Sequence, residues 1–259
     1  MEQVAARVNG MAYLALTFWL LICVLIASGV RRLGESIVPP RVLNVLLLPG
    51  TLVAQLGHVL GLLVTGATIT NTSLLGDDPD RQPVATTDAR PRLPVIGPVL
   101  VGLLPLVGCA VAIHLLTGWI GAAIVGQFNP PLARPSMPAT AAGVWQLLRD
   151  QITLAERGVN CILSADPLAW QSWMFWYLLI CFAVRLAPFP GQERGVLGAA
   201  VVLGLGAALL GYLVGFELRE SHPLWGVLNL TLGVLTALLL AGLLVNGVRI
   251  LWRSLVQRV

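Results

Sequence analysis

The sequence predicts an all-α integral membrane protein, a bundle of about six transmembrane helices that forms a single domain over residues 1–259. Composition is the first indication, because 57% of the residues are hydrophobic and only 11% are charged, whereas soluble domains carry roughly 25% charged residues. The mean hydropathy of +0.84 points to the same class. So few charged side chains cannot cover a soluble core, and the lipid bilayer is therefore the first predicted partner.

Six apolar segments have about the 20 residues that a helix needs to cross a bilayer. They cover residues 11–30, 42–66, 93–116, 168–187, 196–216 and 225–251. We interpret the first as a retained transmembrane helix, since it is too long for the core of a signal peptide and lacks a clear cleavage site. The fifth is rich in Gly and Ala, which lets helices approach closely.

Prolines predict that the second and third helices are broken. Pro49-Gly50 interrupts the second segment, so we expect a short helix first and a restart near Pro49, a favourable residue in a first helical turn. The third segment contains Pro94, Pro98 and Pro105. Each proline removes a backbone N–H and favours a kink or a break, which a membrane tolerates only where protein or water supplies hydrogen-bond partners.

Two long polar loops, residues 67–92 and 127–167, connect the apolar segments. The first opens with β-branched residues and continues with a turn-rich acidic patch. This order is compatible with a small hairpin whose strands lie at 68–73 and 84–87.

The second polar loop contains an amphipathic stretch. Five apolar residues share one helical face there: Val144, Trp145, Leu148, Ile152 and Ala155. Such a pattern is typical of a helix in the membrane interface, with Trp145, Leu148 and Ile152 as its contact residues. A helix packed on the protein's own loop would show the same pattern, and both interpretations stay open.

The net charge of +4 comes from arginine alone, because the chain has no lysine. No clustered basic face is present, which excludes nucleic acid as a partner. Arginine counts on the two sides of the membrane differ little and lean toward cytoplasmic termini by the positive-inside rule. With six spans, the same count puts Arg31 and Arg185 on opposite sides. Four dispersed cysteines predict neither a disulfide framework nor a zinc knuckle.

The second apolar segment carries polar side chains, and intramembrane polar residues are often functional. Residues four apart share a helical face, so Ala54 and His58 project together with Gln55 beside them. This is the frame of the zinc motif HExxH, in which two histidines hold the metal and the glutamate takes a proton from bound water. Here the frame reads Ala-Gln-Leu-Gly-His.

The surroundings of this frame resemble the site-2 protease family of intramembrane zinc metalloproteases, and more closely its small bacterial branch. Six residues match that branch's pattern PGTxxHExxHxxxxxxTG: Pro49, Gly50, Thr51, His58, Thr65 and Gly66. Two later blocks, Pro91–Gly108 and Trp170–Gly195, are similar to the family's proline-rich segment and to the segment whose acidic residue completes the metal site. The resemblance covers about 100 of 259 residues. It implies a membrane-embedded helical fold and a bacterial inner membrane.

The metal site departs from the family's pattern. Ala54 stands in place of the first histidine and Gln55 in place of the catalytic glutamate. Arg185 replaces the histidine of the third block, while Gln192 has the acidic spacing and Glu193 is adjacent. Since zinc needs three or four N, O or S ligands, the resemblance implies no bound zinc and no catalytic residues. The expected function is that of a binding or scaffold subunit among other membrane proteins.

Two alternative functions stay open. An active zinc protease with rearranged ligands would use His58, Glu193 and an aspartate from a polar loop. A transporter or channel would line a polar path with Gln55, His58, His114 and Arg185. In the scaffold hypothesis the same four residues form a polar pocket, unless His58 and His114 are separate core histidines, each bonded to a neighbouring group.

Overall fold

A computed structural model describes residues 2–66, 96–126, 138, 140–164, 169–187, 193–214, 218 and 222–256. Over these residues the chain forms helices joined by turns and short connections, in agreement with the predicted all-α class. The helices are α1 (Glu2–Ile37), α2 (Pro40–Leu46), α3 (Leu48–Val64), α4 (Ile96–Trp119), α5 (Ala122–Gly126), α6 (Ala141–Leu163), α7 (Trp170–Val184), α8 (Glu193–Val214) and α9 (Pro223–Val256). The hairpin predicted at 68–73 and 84–87 lies outside the described residues.

Several helices have the length and composition of transmembrane helices. Four described segments meet both criteria alone: Gly10–Ile37, Gly97–Trp119, Gly195–Leu213 and Pro223–Val256. The pair α2 and α3 meets them as a unit, although its two helices are bent by 93°. α7 is apolar but only 15 residues long, or about 22 Å. The chain is therefore a helical membrane protein with four or five such segments by this criterion, and the count of six stays a prediction.

The predicted break in the second segment is confirmed. α2 ends at Leu46, and α3 begins at Leu48 with Pro49 in its first turn. The Leu46 carbonyl accepts hydrogen bonds from the Tyr177 hydroxyl at 3.0 Å and from Cys181 Sγ at 3.7 Å. α7 thus supplies the partners that an interrupted helix needs inside a membrane.

The breaks predicted at Pro98 and Pro105 of the third segment are wrong, while Pro94 lies outside the described residues. α4 runs without interruption from Ile96 to Trp119, with Pro105 inside it. Pro98 lies in the first turn, where the amide nitrogen has no helical acceptor and a missing N–H costs nothing. At Pro105 the helix packs directly on α3, and this packing offsets one lost hydrogen bond. The chain is interrupted later, at Gly121, before the short α5.

The centre of the bundle is formed mainly by α6, α7 and α9. The largest fully buried apolar side chains belong to these helices: Leu154, Phe175, Leu179, Trp225, Leu230, Leu232 and Leu235. α6 packs against α9, and Thr236 Oγ1 donates a hydrogen bond to Gln151 Oε1 at 3.3 Å. α7 contacts α1, α3, α4 and α9. α7 thus packs on α3 and supports the break between α2 and α3, while the most extensive contact of α3 is with α4.

Candidate functional site

α3 presents one continuous buried face, which includes Ala54, Gly57 and His58 of the Ala-Gln-Leu-Gly-His frame. The residues of this face, named here the motif face, are Gly50, Thr51, Ala54, Gly57, His58, Gly61 and Leu62. Their spacing of three and four residues puts them along one side of the helix. Ala54 and His58 therefore share a face, as the sequence predicts, and that face is turned into the protein.

Glycines on the motif face bring α3 into backbone contact with α4. A Cβ atom at Gly57 would lie 2.6 Å from the nitrogen of Pro105, and one at Gly61 would lie 2.8 Å from the Cα of Val101. Only glycine fits at either position, and the GxxxG spacing of the two is typical of close helix pairs in membranes. Because a proline nitrogen carries no hydrogen, α3 can lie against it without burying an unpaired donor.

The replaced residues of the zinc frame are part of this packing. Ala54 is 1% exposed and belongs to the main apolar core. Gln55 beside it is half-buried, and its neutral amide has no basicity. His58, 3% exposed, is the one side chain of the frame with a nitrogen that could bind a metal. One imidazole does not fit zinc, which needs three or four donors.

Residues elsewhere in the described ranges do not complete a metal site. No group of three or more His, Cys, Asp or Glu side chains lies close enough together there to hold a metal ion. Gln192 lies outside the described residues. Glu193 is the first residue of α8, and its side chain is also outside the description.

The four residues predicted to form a polar pocket lie in three separate places. Gln55 and His58 are neighbours on α3, but Gly57 and Gly61 contact Pro105 and Val101 in antiparallel order. His58 is therefore nearly level with Pro105, and His114 lies about nine residues further along α4, or about 14 Å away along the helix axis. The structure does not bring His114 to His58.

His114 instead lines a cavity between α1, α4 and α9. The cavity has a volume of about 120 Å³ and includes Cys23, Ile113 and Leu228 in its walls. His114 and Thr231 are the side chains with hydrogen-bonding groups among those that line it, together with the thiol of Cys23. Binding sites for polar solutes place several convergent polar groups around the ligand. This cavity is mostly apolar and does not favour a polar transport path.

Arg185 lies at the junction of α1, α2 and α7, next to the start of α3. Its Nη2 donates a hydrogen bond to Asn44 Oδ1 at 2.5 Å, and the residue is only 9% exposed. Arg31 and Glu35 of α1 lie within electrostatic range of its guanidinium. The prediction that Arg31 and Arg185 lie on opposite sides is therefore wrong. α1 continues past the predicted end of its span to Ile37, and α7 ends after 15 residues, so both arginines lie inside the bundle.

Sequence reasoning missed this cluster of Arg31, Glu35, Asn44 and Arg185, named here the arginine junction. The signal that could have found part of it is the spacing of Arg31 and Glu35, four residues apart in a segment next to a transmembrane helix. The contribution of Arg185 depends on where the short α7 ends, which no local pattern gives.

The predicted contact residues of α6 are exposed. Trp145, Leu148 and Ile152 have exposed fractions of 71%, 52% and 60%. They form an apolar stripe beside the face that packs on α9. Ala155, which the sequence predicts on the same stripe, is buried, because the stripe and the packed face are adjacent on the helix surface. The stripe is a surface of this chain that no described residue covers.

No family model, no curated protein and no solved structure matches this chain. A function must therefore be argued from the residues and their contacts. Three features are relevant to it: the packed motif face of α3, the exposed stripe of α6 and the arginine junction.

Proposed function

We propose that this chain is a catalytically inactive relative of the site-2 proteases and acts as a binding or scaffold subunit of a membrane complex. The observation that supports this proposal is the packing of the motif face. A proteolytic site needs open space for a metal ion, a water molecule and a peptide. Here Gly57 and Gly61 contact the backbone of α4, and Ala54 is 1% exposed.

The same observation suggests why the fold would persist without its chemistry. Close backbone contact between α3 and α4 depends on glycine at two positions and on a proline nitrogen at a third. These requirements are independent of a metal, because dispersion contacts and complementary shape stabilise helix pairs in membranes. The frame around His58 then serves to hold two helices together.

The stripe of Trp145, Leu148 and Ile152 is the surface that we propose for docking. α6 lies in the membrane interface, with Trp145 at the level of the lipid headgroups, where indole rings are enriched. Arg149 and Glu156 are exposed on the neighbouring polar side of the helix. A partner subunit approaching along the membrane surface would meet the apolar stripe first.

The membrane arrangement that we propose has six segments, counting α2 with α3 as one and α7 as another. An even number puts both termini on one side, which the count of the arginines other than Arg31 and Arg185 assigns to the cytoplasm of a bacterium, with the chain in the inner membrane. Fusion of a cytoplasm-dependent fluorescent reporter to each end tests this arrangement. Fluorescence from both fusions is expected, and fluorescence from only one would show an odd number of crossings.

Purification in a mild detergent tests the proposed function. Protein isolated from its native membranes through a tag is expected to carry at least one other membrane protein in stoichiometric amount. Trp145→Ala is expected to reduce the recovery of that partner, whereas Trp252→Ala, at a residue of similar exposure on α9, is the matched control. A chain that is always alone and monomeric would contradict the proposal.

A further inference from the structure

Two buried arginines meet at the arginine junction. Arg31 of α1 is 7% exposed and Arg185 after α7 is 9% exposed. A Cβ atom at Gly34 of α1 would lie 3.3 Å from Leu43 Cδ2 of α2, next to Asn44, which accepts a hydrogen bond from Arg185. Arg31 and Arg185 accordingly lie in electrostatic range of each other, and Glu35 is an acidic group that acts on Arg185 there. Fully charged guanidinium groups are rarely buried this deeply unless they are paired. The junction is therefore a place where charge must be compensated.

The hydrogen bonds of the described residues do not compensate it fully. Arg185 Nη2 donates to Asn44 Oδ1, which is a neutral acceptor. Arg31 Nε lies 3.9 Å from Glu35 Oε1, too far for a hydrogen bond. The Nε atoms of both Arg31 and Arg185 are buried, and neither has a hydrogen-bond partner among the described residues. A buried donor without an acceptor is costly, and more so when it is charged.

The charges at the junction are also unequal. Two guanidinium groups face one carboxylate there, which leaves an excess of one positive charge among the described side chains. Arg32 is adjacent to Arg31 in sequence, but its side chain is exposed. A ligand that completes the junction must be an anion with several acceptor oxygens. Phosphate has this chemistry, and guanidinium groups recognise it through paired N–H donors.

We propose that Arg31 and Arg185 together bind the phosphate group of a ligand, with Asn44 holding the Arg185 guanidinium in position. Arg31 lies in the last two turns of α1 and Arg185 directly follows α7, and both helices are apolar. The headgroup of an anionic phospholipid is therefore one source of this phosphate, and a free phosphate ion is the other. The site contains no residue of the motif face, and the proposal does not depend on the proposed function.

Thermal unfolding of the purified full chain distinguishes the two sources. One sample is delipidated in a neutral detergent and titrated with inorganic phosphate. The other is placed in nanodiscs of phosphatidylcholine with or without phosphatidylglycerol. A midpoint that rises with phosphatidylglycerol alone identifies a lipid headgroup, and one that also rises with inorganic phosphate identifies a site open to the free ion, since a ligand stabilises the state that binds it. No rise with either probe overturns the proposal.

Variants separate a bound phosphate from a general effect of charge. Arg31→Gln is expected to weaken the response to the effective probe by about tenfold in apparent affinity, through loss of one guanidinium. Arg32→Gln changes the net charge by the same amount on an exposed neighbour and is expected to respond like the wild type. Arg31→Lys keeps the charge without the planar fork and is expected to respond between the two, which keeps the test valid if Arg31→Gln does not fold. Equal responses of Arg31→Gln, Arg31→Lys and Arg32→Gln would overturn the proposal.

Discussion

The motif face of α3 and the arginine junction differ in the charged side chains that they contain, because the motif face has no Arg, Asp or Glu and the junction has two Arg and one Glu. At the motif face, two glycines bring α3 and α4 into backbone contact, and Ala54 is packed in the apolar core. At the junction, two buried guanidinium groups share one carboxylate and one amide, and their Nε atoms have no partner among the described residues. The first region is packed by the chain itself, whereas the second is the one for which we propose a bound phosphate group.

This difference shows that the residues that resemble a catalytic motif and the residues that could bind a ligand can lie in different parts of one protein. The pattern around Ala54 and His58 resembles a catalytic frame, yet Ala54 is packed in the apolar core and glycines of the same face pack on α4. The residues of the arginine junction come from α1, α2 and the end of α7, and they form no recognisable motif. In this protein, the groups best suited to bind a ligand are those of the arginine junction and not those of the motif face.

The largest expected effect comes from closing the space between α3 and α4. Gly57→Ala puts a methyl group 2.6 Å from the backbone nitrogen of Pro105, which cannot move aside as a side chain could. We expect a loss of about 3 kcal/mol in the free energy of unfolding, measured by circular dichroism in a detergent titration.

Gly118→Ala is the control for this change. Gly118 lies in α4, and a Cβ atom there would have no other atom within 4 Å. Its expected effect is below about 1 kcal/mol, because alanine is at least as good a helix former. Equal effects at both glycines would show that the backbone contact does not stabilise the helix pair.

Introducing the first two residues of the HExxH motif should destabilise the protein. The double variant Ala54→His, Gln55→Glu introduces a large side chain at a residue that is 1% exposed, and we expect a loss of about 1–3 kcal/mol from overpacking. Unfolding curves recorded with and without zinc measure both the loss from overpacking and any stabilisation by bound zinc. A variant that folds as well as the wild type and gains stability with zinc would mean that the motif face retains room for a metal.

Neutralising the junction should stabilise the delipidated protein. Asn44→Asp replaces the neutral acceptor of Arg185 with a carboxylate, which equalises the buried charges and strengthens the hydrogen bond. We expect a gain of about 1 kcal/mol and a weaker response to added phosphate or phosphatidylglycerol. A destabilised Asn44→Asp variant would indicate that the charge at the junction is already balanced.

The smallest expected effect concerns the break between α2 and α3. Tyr177→Phe removes the hydroxyl that donates to the Leu46 carbonyl at 3.0 Å, and we expect a loss of about 0.5–1 kcal/mol. Tyr212→Phe, at a residue that is 87% exposed on α8, is the matched control. If thermal unfolding shows no difference between them, the hydroxyl does not support the break.

Local patterns in the sequence were sufficient for much of the fold. Apolar length predicted the membrane helices, and Pro49 predicted the restart of α3, because each depends on residues close together in the chain. The effect of Pro105 was predicted wrongly, since α4 accommodates this proline where Gly57 of another helix packs against it. A proline removes a hydrogen bond locally, but whether the helix breaks is decided by what packs against it.

In the candidate sites, too, features set by nearby residues were predictable, whereas those set by contacts between distant helices were not. The common face of Ala54 and His58 follows from helical periodicity alone, and the exposure of Trp145, Leu148 and Ile152 agrees with the amphipathic pattern. The meeting of Arg31 with Arg185 depends on α1 being longer and α7 shorter than a regular span. Counting spans of equal length put the two arginines on opposite sides, which no property of either residue could correct.

The central claim is that the motif face packs helices and holds no catalytic metal. Its most direct test is the metal content of the full chain, purified without chelators and measured by elemental mass spectrometry. We predict no stoichiometric zinc, and no difference in zinc between the wild type and His58→Ala. About one zinc ion per chain, lost in His58→Ala, would contradict the claim and favour an active metalloprotease.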